Sequence, residues 1–173
     1  MMTETDWAYL AGLIDGEGQM DILLRANPNT KHIGRGYTRE FRLNITNGSR
    51  ELLVELQQKI GMGSIYLQDV TWSPTHRVKM YSYRFSHNPI RKVLPNIIPY
   101  LMLKKKLAVM LLEELDLVKD MSIEADKREG MLLQKDAEFR KECLRTPGNR
   151  CQAHRKDDDL RAEVLAKRAL YNR

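Results

Sequence analysis

The sequence predicts an α+β fold in which a four-stranded antiparallel sheet carries helices on one face. Hydrophobic periodicity supplies the first reason. It switches between helical and strand spacing in the order helix, strand, strand, helix, strand, strand, and then helices. The strands supply the second. Apolar and polar residues alternate along them, as in an antiparallel sheet with one covered and one open face. A third feature marks a site within this frame. Leu10 to Gly18 reads LAGLIDGEG, an apolar helical run that ends in two acids, Asp15 and Glu17, set among glycines and followed by a strand.

The first helix is predicted from Asp6 to about Asp15, with Trp7, Leu10, Leu13 and Ile14 at helical spacing and Gly16 and Gly18 ending it. In the strand that follows, Met20, Ile22 and Leu24 point one way and Gln19, Asp21, Leu23 and Arg25 the other. Pro28, Asn29, Gly34 and Gly36 mark a loop. The next strand, Tyr37 to Thr46, sets Phe41, Leu43 and Ile45 against Thr38, Glu40, Arg42 and Asn44. Ser49 is the expected N-cap of a helix carrying Leu52, Leu53, Leu56 and Ile60 and stopping at Gly61. Strands are expected near Ser64 to Val70 and Arg77 to Ser86, joined through Ser73 and Pro74. In the latter, Tyr81, Tyr83 and Phe85 suit the core and Ser82 and Arg84 point outward, while Arg77 and Lys79 break that parity. A helix from about Asn88 has Pro89 in its first turn and is expected to be interrupted or ended at Pro95 and Pro99. Further helices are predicted over Lys104 to Val118, over Ile123 to Leu144 and, after a break at Pro147, Gly148 and Asn149, from Asp157 onward.

With 173 residues the chain suits one domain with a helical appendage. No apolar run approaches the roughly 20 residues needed to cross a bilayer, and the polar start, with Glu4 and Asp6, is unlike a secretory signal. Two cysteines, Cys143 and Cys151, make no disulfide framework, which points to a reducing, intracellular compartment, the cytoplasm or an organelle matrix. A net charge of +6 and a pI near 9.3 suit a polyanionic partner and equally suit plain solubility. The open sheet face offers Gln19, Asp21, Arg25, Thr38, Glu40, Arg42, Asn44, Tyr66 and Gln68. Such a face is either solvated or able to read base edges in a major groove, where Arg pairs with guanine and Asn or Gln with adenine.

From Trp7 to Gly18 the chain closely resembles the defining motif of the LAGLIDADG homing endonucleases, with Glu17 in place of the second aspartate. The αββαββα order fits that family's core. Pro99 to Lys106, PYLMLKKK, resembles its later segment carrying an active-site lysine, and the Thr46-Asn47 junction falls at one of its strand ends. The likeness covers roughly residues 6 to 118. It implies an endonuclease core over residues 1–120, with 121–173 as a C-terminal helical extension.

A single copy of the motif implies a homodimer paired through the motif helices. Ala8, Gly12 and Gly16, each four residues apart, would leave a face where two backbones approach closely, unless they pack against their own sheet. Two Glu17 carboxylates about 4 Å apart would repel by about 4 kcal/mol at an effective dielectric near 20, a cost that divalent cations offset. Oxygen ligands favour Mg²⁺ (or Mn²⁺).

By resemblance, Glu17 is the metal ligand with the Gly16 carbonyl beside it. Lys104 orients water or offsets phosphate charge, Asn47 stands where the family often has a glutamine that holds the nucleophilic water, and Arg50 is a nearby basic group. Asp15 supports the motif turn. The DNA-facing set is the open sheet face together with Arg77, Lys79 and Arg84.

Other readings of these residues are weaker. An EF-hand fails because Met20 holds the sixth loop position and Ala26 the twelfth. Cys143, Cys151 and His154 lack the second pair that a zinc site needs. The expected activity is therefore metal-dependent, site-specific cleavage of double-stranded DNA at a long pseudo-palindrome, with no membrane partner. Its rival on the same fold is an intron RNA maturase or a DNA-binding protein without nuclease activity.

Overall fold

The structure is a computed structural model that describes residues 2–26, 37–73, 76–120 and 122–149. In chain order these form α1 (Glu4–Glu17), β1 (Gly18–Ala26), β2 (Tyr37–Asn47), α2 (Arg50–Ile60), β3 (Ser64–Ser73) and β4 (His76–Phe85), then α3 (His87–Ile97), a 3-10 turn (Ile98–Tyr100), α4 (Lys105–Lys119) and α5 (Ala125–Arg145). The strands make one antiparallel sheet in the order β1-β2-β4-β3, so β1 and β3 are its edges. The expected loop after Ala26, the Ser73–Pro74 link and the helix from Asp157 lie outside the described residues. Among the described residues no helix is long and apolar enough to cross a membrane.

Local chemistry sets the boundaries. Thr3 caps α1 in a reciprocal box with Asp6, so the helix starts before the predicted Asp6; at the other end it runs on through Gly16 to Glu17. Ser49 Oγ accepts the Leu52 N–H at 3.2 Å and caps α2 as expected. Pro95 does not interrupt α3. It stands in the last turn, and the chain tightens into the 3-10 turn just beyond it.

One apolar core joins the helices to the covered sheet face. Ile90, Val93, Leu94 and Ile97 of α3 follow helical spacing, and all four are fully buried. Burying each such side chain contributes roughly 1.5–3 kcal/mol. Phe139 and Cys143 of α5 belong to the same core, so this helix is built into the body of the protein. An ion cluster ties it down. The Arg39 guanidinium of β2 meets Asp136 at 2.7 Å and Glu129 at 3.3 Å, all three side chains nearly out of solvent.

Two strand expectations need correction. Asp21 and Leu23, assigned to the open face, are only 2% and 6% exposed. The register sets Asp21 opposite Arg42 and Leu23 opposite Glu40, and Arg42 and Glu40 are ion-paired with each other. Asp21 is therefore withdrawn from the DNA-facing set. Lys79 pairs with Asp69 in unbroken register from Arg84, which puts it on the face of Tyr81 and Tyr83, opposite to Arg84. Its side chain is nonetheless exposed. The side chain of Arg77 lies outside the described residues.

Candidate functional site

The end of α1 is where the chain concentrates its chemistry. Gly18 is extended there, with φ −78° and ψ 152°, and its N–H donates to the Ile14 carbonyl to close the helix. A glycine is required for closeness rather than for backbone angle. A Cβ at this position would lie 2.5 Å from the Ile14 carbonyl oxygen and 2.8 Å from its Cα. The tight exit leaves Glu17 as the last helical residue, with its side chain exposed.

Two helix ends cap each other behind it. The Asp15 carboxylate accepts the N–H groups of Met102 at 2.7 Å, Leu103 at 3.2 Å and Lys104 at 2.9 Å, at the start of α4. Helix starts present unsatisfied N–H groups and a positive dipole end, and α4 has no side-chain cap of its own. In return the Lys104 ammonium donates to the Ile14 carbonyl at 2.9 Å and the Asp15 carbonyl at 2.7 Å, at the electronegative end of α1. Lys104 is fully buried. Burial holds its ammonium below the ordinary lysine value, and the nearby Asp15 charge opposes that shift.

The Lys104 side chain is thus tied to the motif helix. Two of its three donors are spent on the motif helix. Its charge still sits directly beneath Glu17's own turn, while Lys105 and Lys106 are exposed. Asp15 keeps the structural role expected of it.

Asn47 is brought to Glu17 directly. Its Nδ2 donates to Glu17 Oε2 at 2.5 Å, and its Oδ1 accepts the Ser49 N–H at 2.7 Å, which fixes the amide's orientation. Arg50 opens α2 and is exposed; no hydrogen bond or ion pair among the described residues brings it to Glu17.

One protomer supplies few metal ligands. Among the described residues no group of three or more His, Cys, Asp or Glu side chains is placed to hold an ion. Asp15 is occupied by amides, which leaves Glu17 and backbone carbonyls. That oxygen set suits a hard divalent cation but supplies few of the ligands one takes. The same helix end borders an uncovered face. Around Gly12 and Gly16 an added Cβ would meet nothing within 4 Å, so neither packs on its own sheet. Ala8 is half-buried; Tyr9, Met102 and Leu103 are large, apolar and exposed, Met102 to 88%.

The open sheet face begins next to this site. Glu40, Arg42, Asn44, Tyr66 and Arg84 line a concavity of about 350 Å³ together with His87 and Pro89, neither of which the sequence reading assigned to a site. The Arg84 guanidinium lies over the Tyr66 ring, 4.9 Å from its centre. Glu40 binds Arg25 at 2.5 Å and Arg42 at 2.7 Å, so both arginines are held before any ligand arrives. Burial pushes the Glu40 carboxyl up, but the hydrogen bonds and charges of Arg42 and Arg25 outweigh it and hold the group below its ordinary value. Burial lowers the His87 imidazole, which packs edge-on against Phe41 at 5.1 Å. Asn44 Oδ1 is buried and accepts no hydrogen bond among the described residues. Thr38 is exposed; Gln19 and Gln68 are partly exposed on the same face.

Sequence reasoning also missed Gly148 and Asn149, which reach this region from beyond α5. Asn149 Oδ1 accepts the Met20 N–H at 2.9 Å, and its Nδ2 donates to the Met20 carbonyl at 3.2 Å. The available signal was the run Thr146-Pro147-Gly148-Asn149, a turn sequence, but nothing local says where such a turn docks. Cys143 is buried beside it, its Sγ 3.6 Å from the Met20 carbonyl. Cys151 and His154 lie outside the described residues.

Comparison with known proteins gives the family and the fold. The profile of the family described as LAGLIDADG endonuclease matches residues 10–112. Among solved structures the chain is similar to the homing endonuclease I-CvuI, determined with its target in the presence of calcium. The identity is 18% and the TM-score 0.67, with 95% of this chain and 94% of that one covered. I-CvuI was also determined in the presence of magnesium with a DNA that was not cleaved. An archaeal intron-encoded homing endonuclease complexed with DNA matches at 17% identity and a TM-score of 0.71, covering 96% of this chain and 98% of that one. The LAGLIDADG meganuclease I-CpaMI, bound to uncleaved DNA, matches at 20% identity and a TM-score of 0.60; 78% of this chain covers only 43% of that one. No curated protein matches the sequence significantly.

Proposed function

The chain belongs to the LAGLIDADG endonuclease family, and from that premise we propose that it is a homodimeric, divalent-metal-dependent, site-specific DNA endonuclease. The observation that carries the proposal is the clasp of Glu17 by Asn47 at the mutually capped ends of α1 and α4, beside the polar sheet face. Residues 1–120 form the endonuclease core and 121–173 its C-terminal extension.

Glu17 and the Gly16 carbonyl would hold the metal, with the matching pair from a second copy completing the site. Mg²⁺ or Mn²⁺ suits an all-oxygen set that keeps waters. When bound, such an ion lowers the pKa of a water and offsets charge on the phosphate. The chain's own part is positional. Asn47 fixes the Glu17 carboxylate and stands ready to orient a water. Lys104 adds a positive charge under the same turn, and Asp15 keeps Lys104 and α4 in register. Arg50 supplies charge at the rim.

The sheet face would enter a major groove. Gln19, Arg25, Thr38, Glu40, Arg42, Asn44, Tyr66, Gln68 and Arg84 are its reading set, and Asn44 Oδ1 needs a donor that a base edge or a bridging water can supply. Glu40 holds Arg25 and Arg42 extended in advance, which reduces the ordering cost of binding.

The test is a plasmid carrying the joined sequences that flank the protein's own gene, incubated with and without Mg²⁺. A linear product with defined ends supports the proposal. Glu17→Gln should bind that DNA with little change and lose cleavage by on the order of 10³-fold. Cutting by Glu17→Gln at the wild-type rate would sink the assignment, and binding by wild type without any cutting would favour an inactive DNA-binding protein.

A further inference from the structure

We infer that the turn following α5 is a positioning element for the metal site, with Asn149 as its key residue; this rests on the endonuclease reading above. The turn is built for a fixed shape. Pro147 and Gly148 occupy its centre, Gly148 has φ +69°, and the Asn149 N–H returns to the Thr146 carbonyl at 3.3 Å, the arrangement of a type II turn. Thr146 also closes α5, its N–H and its Oγ1 each donating to the Glu142 carbonyl at 2.9 Å.

This shape sets Gly148 near the turn that carries Glu17 and delivers one contact just past it. On the near side, a methyl placed on Gly148 would lie 3.8 Å from the Asp15 carbonyl oxygen and the Lys104 Nζ, and 3.9 Å from the Gly16 carbonyl oxygen. On the far side, the Asn149 amide pairs with both backbone groups of Met20. Met20 lies on β1, an edge strand whose outward N–H and C=O would otherwise have no strand to meet. The Asn149 side chain thus substitutes for a neighbouring strand at this point, and its Nδ2 also reaches Cys143 Sγ at 3.1 Å.

The backbone just past Glu17 is therefore clamped by the segment that follows α5. α5 anchors the clamp through the Arg39, Asp136 and Glu129 cluster. Loosening it would let the helix-to-strand junction shift, and with it the Glu17 carboxylate and the Gly16 carbonyl. Binding of DNA by the sheet face would not depend on it.

The test compares full-length wild type with Asn149→Ala, and with Phe139→Leu as a control that weakens the α5 core while keeping the Asn149 hydrogen bonds. Hydrogen exchange on the protein alone should show the Met20 amide exchanging up to about tenfold faster in Asn149→Ala. On the cleavable DNA, the Mg²⁺ midpoint for single-turnover cutting should rise about tenfold, as should the Mn²⁺ midpoint followed by electron paramagnetic resonance. DNA affinity without metal should stay within about threefold of wild type. Phe139→Leu should lower the melting temperature yet leave both midpoints in place.

Unchanged Met20 exchange, unchanged midpoints, or midpoints that move equally in Phe139→Leu would each overturn the positioning role while wild type still cuts. A wild-type protein that neither cuts nor takes up Mn²⁺ would overturn the endonuclease reading and this inference with it.

Discussion

Two acids that sit two positions apart divide the work by what their oxygens touch. Asp15 has its carboxylate filled by three backbone N–H groups, whereas Glu17 receives a single amide donor from Asn47 and stays exposed. Hydrogen bonds to a charged group contribute about 1.5–3 kcal/mol, and leaving buried or half-buried donors unmet adds to the loss. Asp15→Ala should therefore destabilise the fold by about 1–3 kcal/mol in urea unfolding, because the segment leading into α4 loses its shared acceptor and Lys104 its nearby counter-charge. Glu17→Gln should leave the unfolding midpoint nearly unchanged while removing cleavage. If the two substitutions cost equal stability, this division of labour is wrong.

At the scale of elements, the junction between α1 and β1 is the most constrained point. Gly18→Ala would press a methyl into the backbone of Ile14, which has no flexible side chain to yield, and overpacking of that kind costs about 1–3 kcal/mol. The variant should unfold at lower urea and need more Mg²⁺ to cut; an unaltered urea midpoint would refute the close-approach argument. This junction was legible in the sequence because its signals are local: an apolar helical run, small residues, then alternation. The Ser49 cap and the four strands were legible for the same reason. What stayed hidden depends on partners distant in the chain. Asn149 meets Met20 across 129 positions, and Arg39 meets Asp136 across 97, separations at which no periodicity speaks. Asp21 was misplaced because alternation assigns a face but says nothing of what covers it. Lys104 could be placed by resemblance, but its burial against two carbonyls follows only from how α1 and α4 meet.

For the whole molecule the decisive question is whether two copies meet through α1. A lone chain offers one free carboxylate at the site and, among the described residues, no cluster able to hold an ion, so the proposed chemistry needs a second Glu17. The uncovered face around Gly12, with Tyr9, Met102 and Leu103 exposed nearby, is the surface that such a partner would bury. Stable interfaces generally remove some 1,200–2,000 Å² from water, so these groups would form only its centre. Gly12→Leu separates assembly from folding. The new side chain meets nothing within the protomer, and replacing a mid-helix glycine should favour α1 by about 0.5–1 kcal/mol. It would, however, hold two helix backbones apart. The variant should sediment as a folded monomer whose melting temperature no longer depends on protein concentration, with no double-strand cutting, and its affinity for the full pseudo-palindrome should fall toward that for one half. A Gly12→Leu protein that stays dimeric and cuts would place the second Glu17 elsewhere and remove the basis for a shared metal site on this helix.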